Sequence, residues 1–200
     1  WADPQVVTTL REWIYNGGGF IGVGEPTAYE KDGELFVLSD VLGVQKEIGL
    51  TASNNKPEFQ ADGPHFISDE LNGSMDYGEG MTMIYKSEDD AQIIDVADRS
   101  CNLVAHPYGK GRSVYIAGLP YNHQNARLLY RSLFWAAHQE EEMKQFYSDN
   151  IHVECSAYPQ AGKYCVYNNT NTPQTANILV NGKPSPVSLG PLEAKWMNLD

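Results

Sequence analysis

Three polar side chains stand at positions where an α/β chain commonly binds a ligand. Glu25 lies in a loop that leaves the carboxyl end of a short apolar run, residues 20–23. Asn122 and His123 lie at the predicted start of the longest helix, where free backbone N–H groups favour an anion. Loops at the carboxyl ends of strands line the clefts of such sheets. All three residues are therefore candidates for a substrate rim, with plain capping of backbone amides as the structural alternative.

Other constellations that would support catalysis are incomplete. The five histidines are scattered, and no His/Cys cluster has the spacing of metal ligands, so the sequence predicts no metal site. Two carboxylate runs, at residues 89–90 and 140–142, are typical of solvated turns and helix faces rather than of an acid/base pair. We therefore assign no catalytic residue to the chain.

The glycines that precede Glu25 invite a nucleotide-binding interpretation. Gly17, Gly19 and Gly22 satisfy the spacing G-x-G-x-x-G. A dinucleotide fingerprint follows a strand and opens a helix, however, whereas here a helical pattern precedes the glycines and a strand pattern follows them. The segment is typical of a helix end joined to a buried strand, so no nucleotide cofactor is predicted.

Composition excludes several classes of partner. The 200 residues carry a net charge of -12, which disfavours nucleic acids and anionic membranes because both are bound by clustered Lys and Arg. The three cysteines form no disulfide framework, which predicts reduced thiols and a cytoplasmic location. The chain begins at Trp1 without an initiator methionine, so we expect it to be part of a longer protein.

The pattern of apolar residues along the chain differs before and after residue 147. Residues 1–147 alternate between helical and strand patterns, which predicts an open-sheet α/β domain, and residues 148–200 carry short alternating runs typical of a small antiparallel β-sandwich. Helices are predicted at residues 4–15, capped by Asp3, and at about 122–146. The apolar stripe of the second helix is predicted from a set at helical spacing: Ala126, Leu129, Leu133, Ala136 and Ala137, widened by Leu128, Phe134 and Trp135.

Several segments resemble one family of enzymes. The motif GGGFIGVGEPTA at residues 17–28 is similar to the central domain of the galacto-N-biose/lacto-N-biose phosphorylases, which are 1,3-β-galactosyl-N-acetylhexosamine phosphorylases. Further similar segments are LFVLSDVLGV at 35–44, GKGRSVYIAGLP at 109–120, RLLYRSLFWAA at 127–137, YP at 158–159, GKYCV at 162–166 and NN at 168–169. The resemblance covers almost the whole chain.

The resemblance implies a fold and an activity. The family's polypeptide resembles a TIM-type barrel followed by a glutamine-amidotransferase-like, flavodoxin-like α/β domain and a small C-terminal β-domain. This chain would supply only the last two, with the first strand of the α/β domain missing. The implied reaction is inverting phosphorolysis of a galactosyl-β-1,3-N-acetylhexosamine to galactose 1-phosphate and a free acceptor sugar, with inorganic phosphate as co-substrate and no cofactor.

The same resemblance limits what this chain would do. Because the family's general acid lies on the barrel, we expect this portion to be inactive alone, to pack on the barrel of the same polypeptide, and to take part in a homo-oligomer. Two alternatives stay open: a stand-alone sugar-binding or oligomerisation module, and an amidotransferase-like hydrolase, which would need a reactive thiol.

Overall fold

The computed structural model describes residues 3–25, 36–47, 58–71 and 74–199. The last three residues of the motif at 17–28 lie outside these ranges. The chain divides into two compact units, Trp1–His138 and Gln139–Asp200. Among the described residues, no helix combines the length and the apolar character needed to cross a membrane.

The described part of the first unit contains three helices and six strands. The helices are α1 (Pro4–Tyr15), α2 (Ser39–Leu42) and α3 (His123–Ala136). The strands are β1 (Gly19–Val23), β2 (Val44–Lys46), β3 (Ile84–Lys86), β4 (Gln92–Ala97), β5 (Ser100–Tyr108) and β6 (Gly111–Ile116). The predicted cap of α1 is confirmed, since the Asp3 carboxylate accepts a hydrogen bond from the backbone N–H of Gln5 at 2.8 Å.

The strand arrangement overturns the predicted fold class. Four strands form one mixed sheet in the order β1-β6-β5-β4, in which β1 and β6 run parallel and β4, β5 and β6 form an antiparallel meander. β2 and β3 pair separately. The prediction of a flavodoxin-like, glutamine-amidotransferase-like open α/β sheet is therefore wrong, because the described residues form mostly strands, which are arranged in several small sheets. Short turns such as Gly109-Lys110 reverse a strand but cannot make the crossover that a parallel neighbour requires.

Apolar side chains cover both faces of the mixed sheet. On one face, Ile14 of α1 packs in a cluster with Tyr115 of β6. On the other face, Leu128 of α3 packs with Leu103 of β5 and Val114 of β6. All five side chains are fully buried, and full burial of a side chain of this size stabilises the fold by about 1.5–3 kcal/mol. The sheet is thus held between α1 and α2 on one side and α3 on the other.

Two glycines are required by close packing around β1. A Cβ on Gly19 would lie 2.6 Å from the carbonyl oxygen of Ala136, so its absence lets the end of α3 approach the strand. A Cβ on Gly111 would lie 2.0 Å from the carbonyl oxygen of Ile14, at the end of α1. Gly19 of the glycine-rich segment therefore serves packing, and the predicted order of helix then strand is confirmed by α1 and β1.

The longest helix differs from its prediction in length and in orientation. α3 ends at Ala136, and His138 (φ 57°) interrupts the helical path before a separate short helix begins at Glu140. The predicted apolar stripe is only partly right. Ala136 is buried, whereas Leu133 is half exposed. Five positions of α3 are buried, and three of them are polar, namely Asn125, Arg131 and Ser132.

The second unit consists of two three-stranded antiparallel sheets, ordered β11-β10-β7 and β12-β9-β8. Its elements are α4 (Glu140–Met143), β7 (Phe146–Ser148), β8 (Val153–Tyr158), β9 (Lys163–Asn168), β10 (Gln174–Val180), β11 (Lys183–Leu189) and β12 (Ala194–Asn198). A 3₁₀ turn, Pro159–Ala161, links β8 and β9. Both sheets contribute to one core, in a sandwich-like arrangement: Val153, Tyr164, Val166, Ala176, Ile178 and Leu189.

Candidate functional site

The candidate site is the edge of the mixed sheet where β1 and β6 both end. The two strands run parallel, with Val23 opposite Ile116, so the loops that follow them leave the sheet on the same side. The backbone N–H of Gly24 donates to the carbonyl of Ile116 at 2.9 Å and extends the pairing by one residue. We call this region, formed by residues 24–25 and 117–123, the carboxyl edge.

A second segment lies over the carboxyl edge. The backbone N–H of Met81 donates to the carbonyl of Ala117 at 2.9 Å. A Cβ on Gly118 would lie 2.1 Å from the carbonyl oxygen of Tyr77, which shows how closely the two backbones approach. The edge is therefore partly covered by residues 77–81, a segment to which the sequence assigned no role in the site.

Asn122 caps α3, and Asn125 ties the helix to its surroundings. The side chain of Asn122 accepts a hydrogen bond from the N–H of Asn125 at 2.7 Å. The amide nitrogen of Asn125 donates to the carbonyls of Asp76 and Pro120, at 2.8 and 2.7 Å. Asn125 is 2% exposed, and its Oδ1 is buried with no partner among the described residues. The side-chain amides of Asn122 and Asn125 thus hold the start of the helix in place. Asn122 therefore performs the capping role that was given above as the structural alternative to substrate binding.

The structure brings the three predicted rim residues to one edge of the sheet. Glu25 is exposed beyond the end of β1, and His123 is the half-buried first residue of α3, directly after Asn122. Their common edge follows from the parallel pairing of β1 and β6, which the strand pattern alone did not specify. Their role in binding a substrate stays a prediction.

Ionisable groups near this sheet favour their protonated forms. Burial raises the pKa of the Tyr77 phenol far above its usual range, and the Asp95 carboxylate raises it further. Tyr77 therefore serves as a hydrogen-bond donor and not as a base. Burial also raises the pKa of the Cys101 thiol to about 11, so little nucleophilic thiolate is present at neutral pH. This protonation argues against Cys101 as the reactive cysteine that the hydrolase alternative needs.

One buried histidine, His106, lies under α2. The His106 ring bonds the carbonyl of Val41 through Nδ1 at 2.7 Å and the carboxylate of Asp90 through Nε2 at 2.9 Å. The hydroxyl of Ser113 also donates to the Val41 carbonyl. His106 is 3% exposed, and its ring fills the space that a Cβ on Gly43 would need. These contacts fix α2 on the sheet and leave the ring no access to a substrate.

Among the described residues, no group of three or more His, Cys, Asp or Glu side chains is placed to hold a metal ion. The carboxyl edge carries one exposed carboxylate, one half-buried imidazole and the amides of a helix start. Such a set can accept and donate hydrogen bonds to hydroxyl groups. An inverting glycoside reaction also needs a carboxylic acid placed on the leaving oxygen, usually in an apolar pocket.

Two family models match the chain. Residues 1–141 match the lacto-N-biose phosphorylase central domain, and residues 146–197 match the C-terminal domain of the same enzymes. The chain belongs to the lacto-N-biose phosphorylase family. The resemblance of the motif at residues 17–28 is therefore confirmed.

Curated relatives of this family are much longer than the chain. A 1,3-β-galactosyl-N-acetylhexosamine phosphorylase of Lachnoclostridium phytofermentans is 46% identical over 178 residues, which cover 89% of this chain and 24% of that protein. The enzyme of the same name from Bifidobacterium longum subsp. longum is 34% identical over 212 residues, covering 89% of this chain and 28% of that protein. The chain thus spans about a quarter of the length of these relatives.

One solved structure shows a similar fold at low sequence identity. The cold-adapted β-galactosidase from Rahnella sp. R3 matches with a TM-score of 0.51 and 15% identity, over 96% of this chain and 30% of that protein. At this identity the match describes the fold alone.

Proposed function

We propose that this chain is the non-catalytic C-terminal portion of an inverting galactoside phosphorylase. The parent enzyme would cleave a galactosyl-β-1,3-N-acetylhexosamine with inorganic phosphate to galactose 1-phosphate and the free acceptor sugar. The relatives' names and the two family matches support this proposal. The general acid would lie on the barrel domain, in the part of the polypeptide that precedes these residues.

The observation that carries a docking role is the outward face of α3. Tyr130 and Leu133 are 61% and 50% exposed, and the rings of Tyr130 and Phe134 stack at 6.1 Å along the same face. The inward face instead holds the buried Arg131, whose Nε donates to the carbonyl of Phe66. A helix that buries a charged side chain and exposes aromatic and leucine side chains has the surface of an interaction site.

The occupant we propose for this face is the barrel domain of the same polypeptide. The chain covers only about a quarter of its relatives' length, so a large covalently linked partner would be present in the parent protein. Covalent linkage gives the two parts a high effective concentration, so that a modest apolar surface suffices for docking. A second copy of the chain is the alternative occupant, and it would account for the predicted homo-oligomer.

The catalytic part of the proposal is tested by comparing the isolated chain with its full-length parent. Both are incubated with galactosyl-β-1,3-N-acetylglucosamine and inorganic phosphate, and galactose 1-phosphate is measured. We expect product from the parent only. Glu25→Gln in the parent should leave kcat within about threefold, because a rim residue that does not transfer the proton affects binding more than the chemical step. Turnover by the isolated chain would refute the non-catalytic assignment.

The docking part is tested with matched leucine variants in the full-length parent. Leu133→Asp places a charge on the proposed interface, whereas Leu192→Asp places one at a position in the second unit that is 66% exposed. We expect only Leu133→Asp to increase proteolytic cleavage between the barrel and this portion. If Leu133→Asp instead changes the oligomeric state in sedimentation and leaves cleavage unchanged, the face binds a second copy and the barrel assignment fails.

A further inference from the structure

The outer face of the β12-β9-β8 sheet presents two aromatic rings to solvent. Trp196 is 61% exposed and Tyr158 is 48% exposed. Their ring centroids lie 5.3 Å apart with an angle of 43° between the ring planes. The neighbours Tyr164 of β9 and Met197 of β12 point the other way, into the core of the unit. We call the Tyr158 and Trp196 pair the aromatic platform.

The register of the sheet fixes the platform. Trp196 of β12 is paired with Cys165 of the central strand β9. Tyr158 of β8 is paired with Lys163, which lies two residues before Cys165 on β9. Side chains two residues apart on a strand share a face, so both rings rise from the same surface of three hydrogen-bonded strands. The rings are therefore held in place by the sheet and are not carried on a loop.

Polar groups flank the platform at both ends. Lys163 lies between Tyr158 and Asn198 in one cross-strand row. At the other end of the sheet, the Glu154 carboxylate accepts hydrogen bonds from the Tyr167 hydroxyl and the Asn169 side chain, both at 2.5 Å. This contact and burial raise the pKa of Tyr167 to about 12, so its hydroxyl stays protonated. Apolar rings are thus combined with an ammonium, an amide and a carboxylate on one face.

We propose that the aromatic platform is a carbohydrate-binding site that takes the C–H face of a pyranose ring. A pyranose offers an apolar face for stacking on Trp and Tyr and a rim of hydroxyls for the flanking donors and acceptors. The centre of a protein interface is instead depleted of Lys and Glu, both of which stand on this face. An aromatic pair in which about half of each residue is exposed still offers its surface to a ligand.

The proposal does not depend on the phosphorylase reaction, since it concerns binding by the second unit alone. The expected affinity is weak, because an open surface buries little of the ligand. A Kd on the order of 1–10 mM is typical of such a contact. The ligand class is a pyranose-containing oligosaccharide, and a galactose-terminated disaccharide is a suitable first probe.

The experiment is saturation-transfer NMR on the 200-residue chain with lactose, with cellobiose and with the linear polyol sorbitol. We expect transfer to the ring C–H protons of the two sugars and none to sorbitol, which offers hydroxyls without a pyranose face. Trp196→Ala and Tyr158→Ala should each weaken binding by about tenfold or more, and Trp196→Phe should retain it within about threefold. Tyr15→Ala removes a ring from a residue of α1 that is 58% exposed and lies in no proposed site, and it should have no effect.

Three results would overturn the proposal. The first is the absence of saturation transfer to either sugar with the folded wild-type chain. The second is undiminished binding by Trp196→Ala and Tyr158→Ala variants that unfold at the wild-type temperature. The third is a change from dimer to monomer on Trp196→Ala, because the platform would then be a contact between copies of the chain.

Discussion

At the scale of single residues, burial decides which side chains are available for chemistry. Cys101 is fully buried, and burial raises the pKa of its thiol to about 11. Burial likewise raises the pKa of Cys155 to about 11. The His106 ring is held between Val41 and Asp90 and serves packing. Glu25, in contrast, is exposed, and it keeps its place as a rim candidate.

The raised pKa of Cys101 predicts that its thiol reacts slowly in the folded chain. A variant with Cys155→Ser and Cys165→Ser isolates this thiol. At pH 8 we expect a disulfide reagent to label it at least about 100-fold more slowly in the folded than in the unfolded chain, because a pKa two units higher reduces the thiolate fraction by that factor and burial also restricts access of the reagent. Labelling at the unfolded rate would show that the thiol is accessible and ionised.

The same shift affects stability. The thiol ionises near pH 9 in the unfolded chain and near pH 11 in the folded chain. Its contribution to the free energy of unfolding is therefore complete below pH 9 and is lost as the pH rises from 9 to 11. Urea unfolding of the isolating variant should show this decline. When Cys101→Ala is added to this variant, the free energy of unfolding should decline less between pH 9 and pH 11.

At the scale of secondary structure, α3 shows how tertiary contacts override a hydrophobic pattern. Arg131 is buried because Phe66 offers a carbonyl and a ring, with the guanidinium 4.3 Å from the ring centroid, and because the carboxylates of Asp69 and Glu70 lie 3.7 Å away. None of these partners is near in sequence. The spacing of apolar residues predicted the helix correctly but could not predict which of its faces the sheet would cover.

Two leucines of α3 provide a matched test of this orientation. Leu128 is fully buried against the sheet, and Leu133 is 50% exposed. Leu128→Ala should lower the free energy of unfolding by about 3 kcal/mol, because it leaves a cavity in the core. Leu133→Ala should change it by less than about 1 kcal/mol. Equal losses in urea unfolding would mean that the outward face of α3 is packed within the chain.

The edge strand β11 illustrates a second effect at this scale. Pro184 and Pro186 lie on β11, which borders β10 on one side only. Proline lacks a backbone N–H, so it is tolerated on an edge strand and reduces pairing with other chains. The alternating pattern alone favoured a small antiparallel unit, and these prolines specify where its sheet ends.

At the scale of the whole molecule, the chain consists of two compact units, each with its own hydrophobic core. Six buried side chains from both sheets form the core of the second unit. Isolated domains of this size are often stable, although only marginally. The division therefore predicts that the second unit folds without the first.

Expression of residues 139–200 alone tests this prediction. We expect a dispersed ¹H–¹⁵N NMR spectrum and a cooperative urea transition. Ile178→Ala, which truncates a fully buried side chain at the centre of the core, should shift the transition to markedly lower urea concentration. A collapsed spectrum for the unaltered fragment would show that the second unit depends on the first for its fold.

The amino-acid sequence by itself determined the family, because the motif at residues 17–28 and the later similar segments are local features. It also determined the helix α1 with its Asp3 cap and the start of α3, which depend on neighbours along the chain. The fold class was not determined in this way, because both the alternating pattern of residues 1–147 and the resemblance predicted an open α/β sheet, whereas β4, β5 and β6 form an antiparallel meander.

Only the tertiary structure decided how distant segments meet. The pairing of β1 with β6 joins residues almost a hundred positions apart and brings the loops of Glu25 and Asn122 to one edge. The buried face of α3 and the platform of Tyr158 and Trp196 likewise depend on partners far along the chain. Non-local contacts of this kind have no periodic signature, because they depend on which surfaces pack together and not on the spacing within one element.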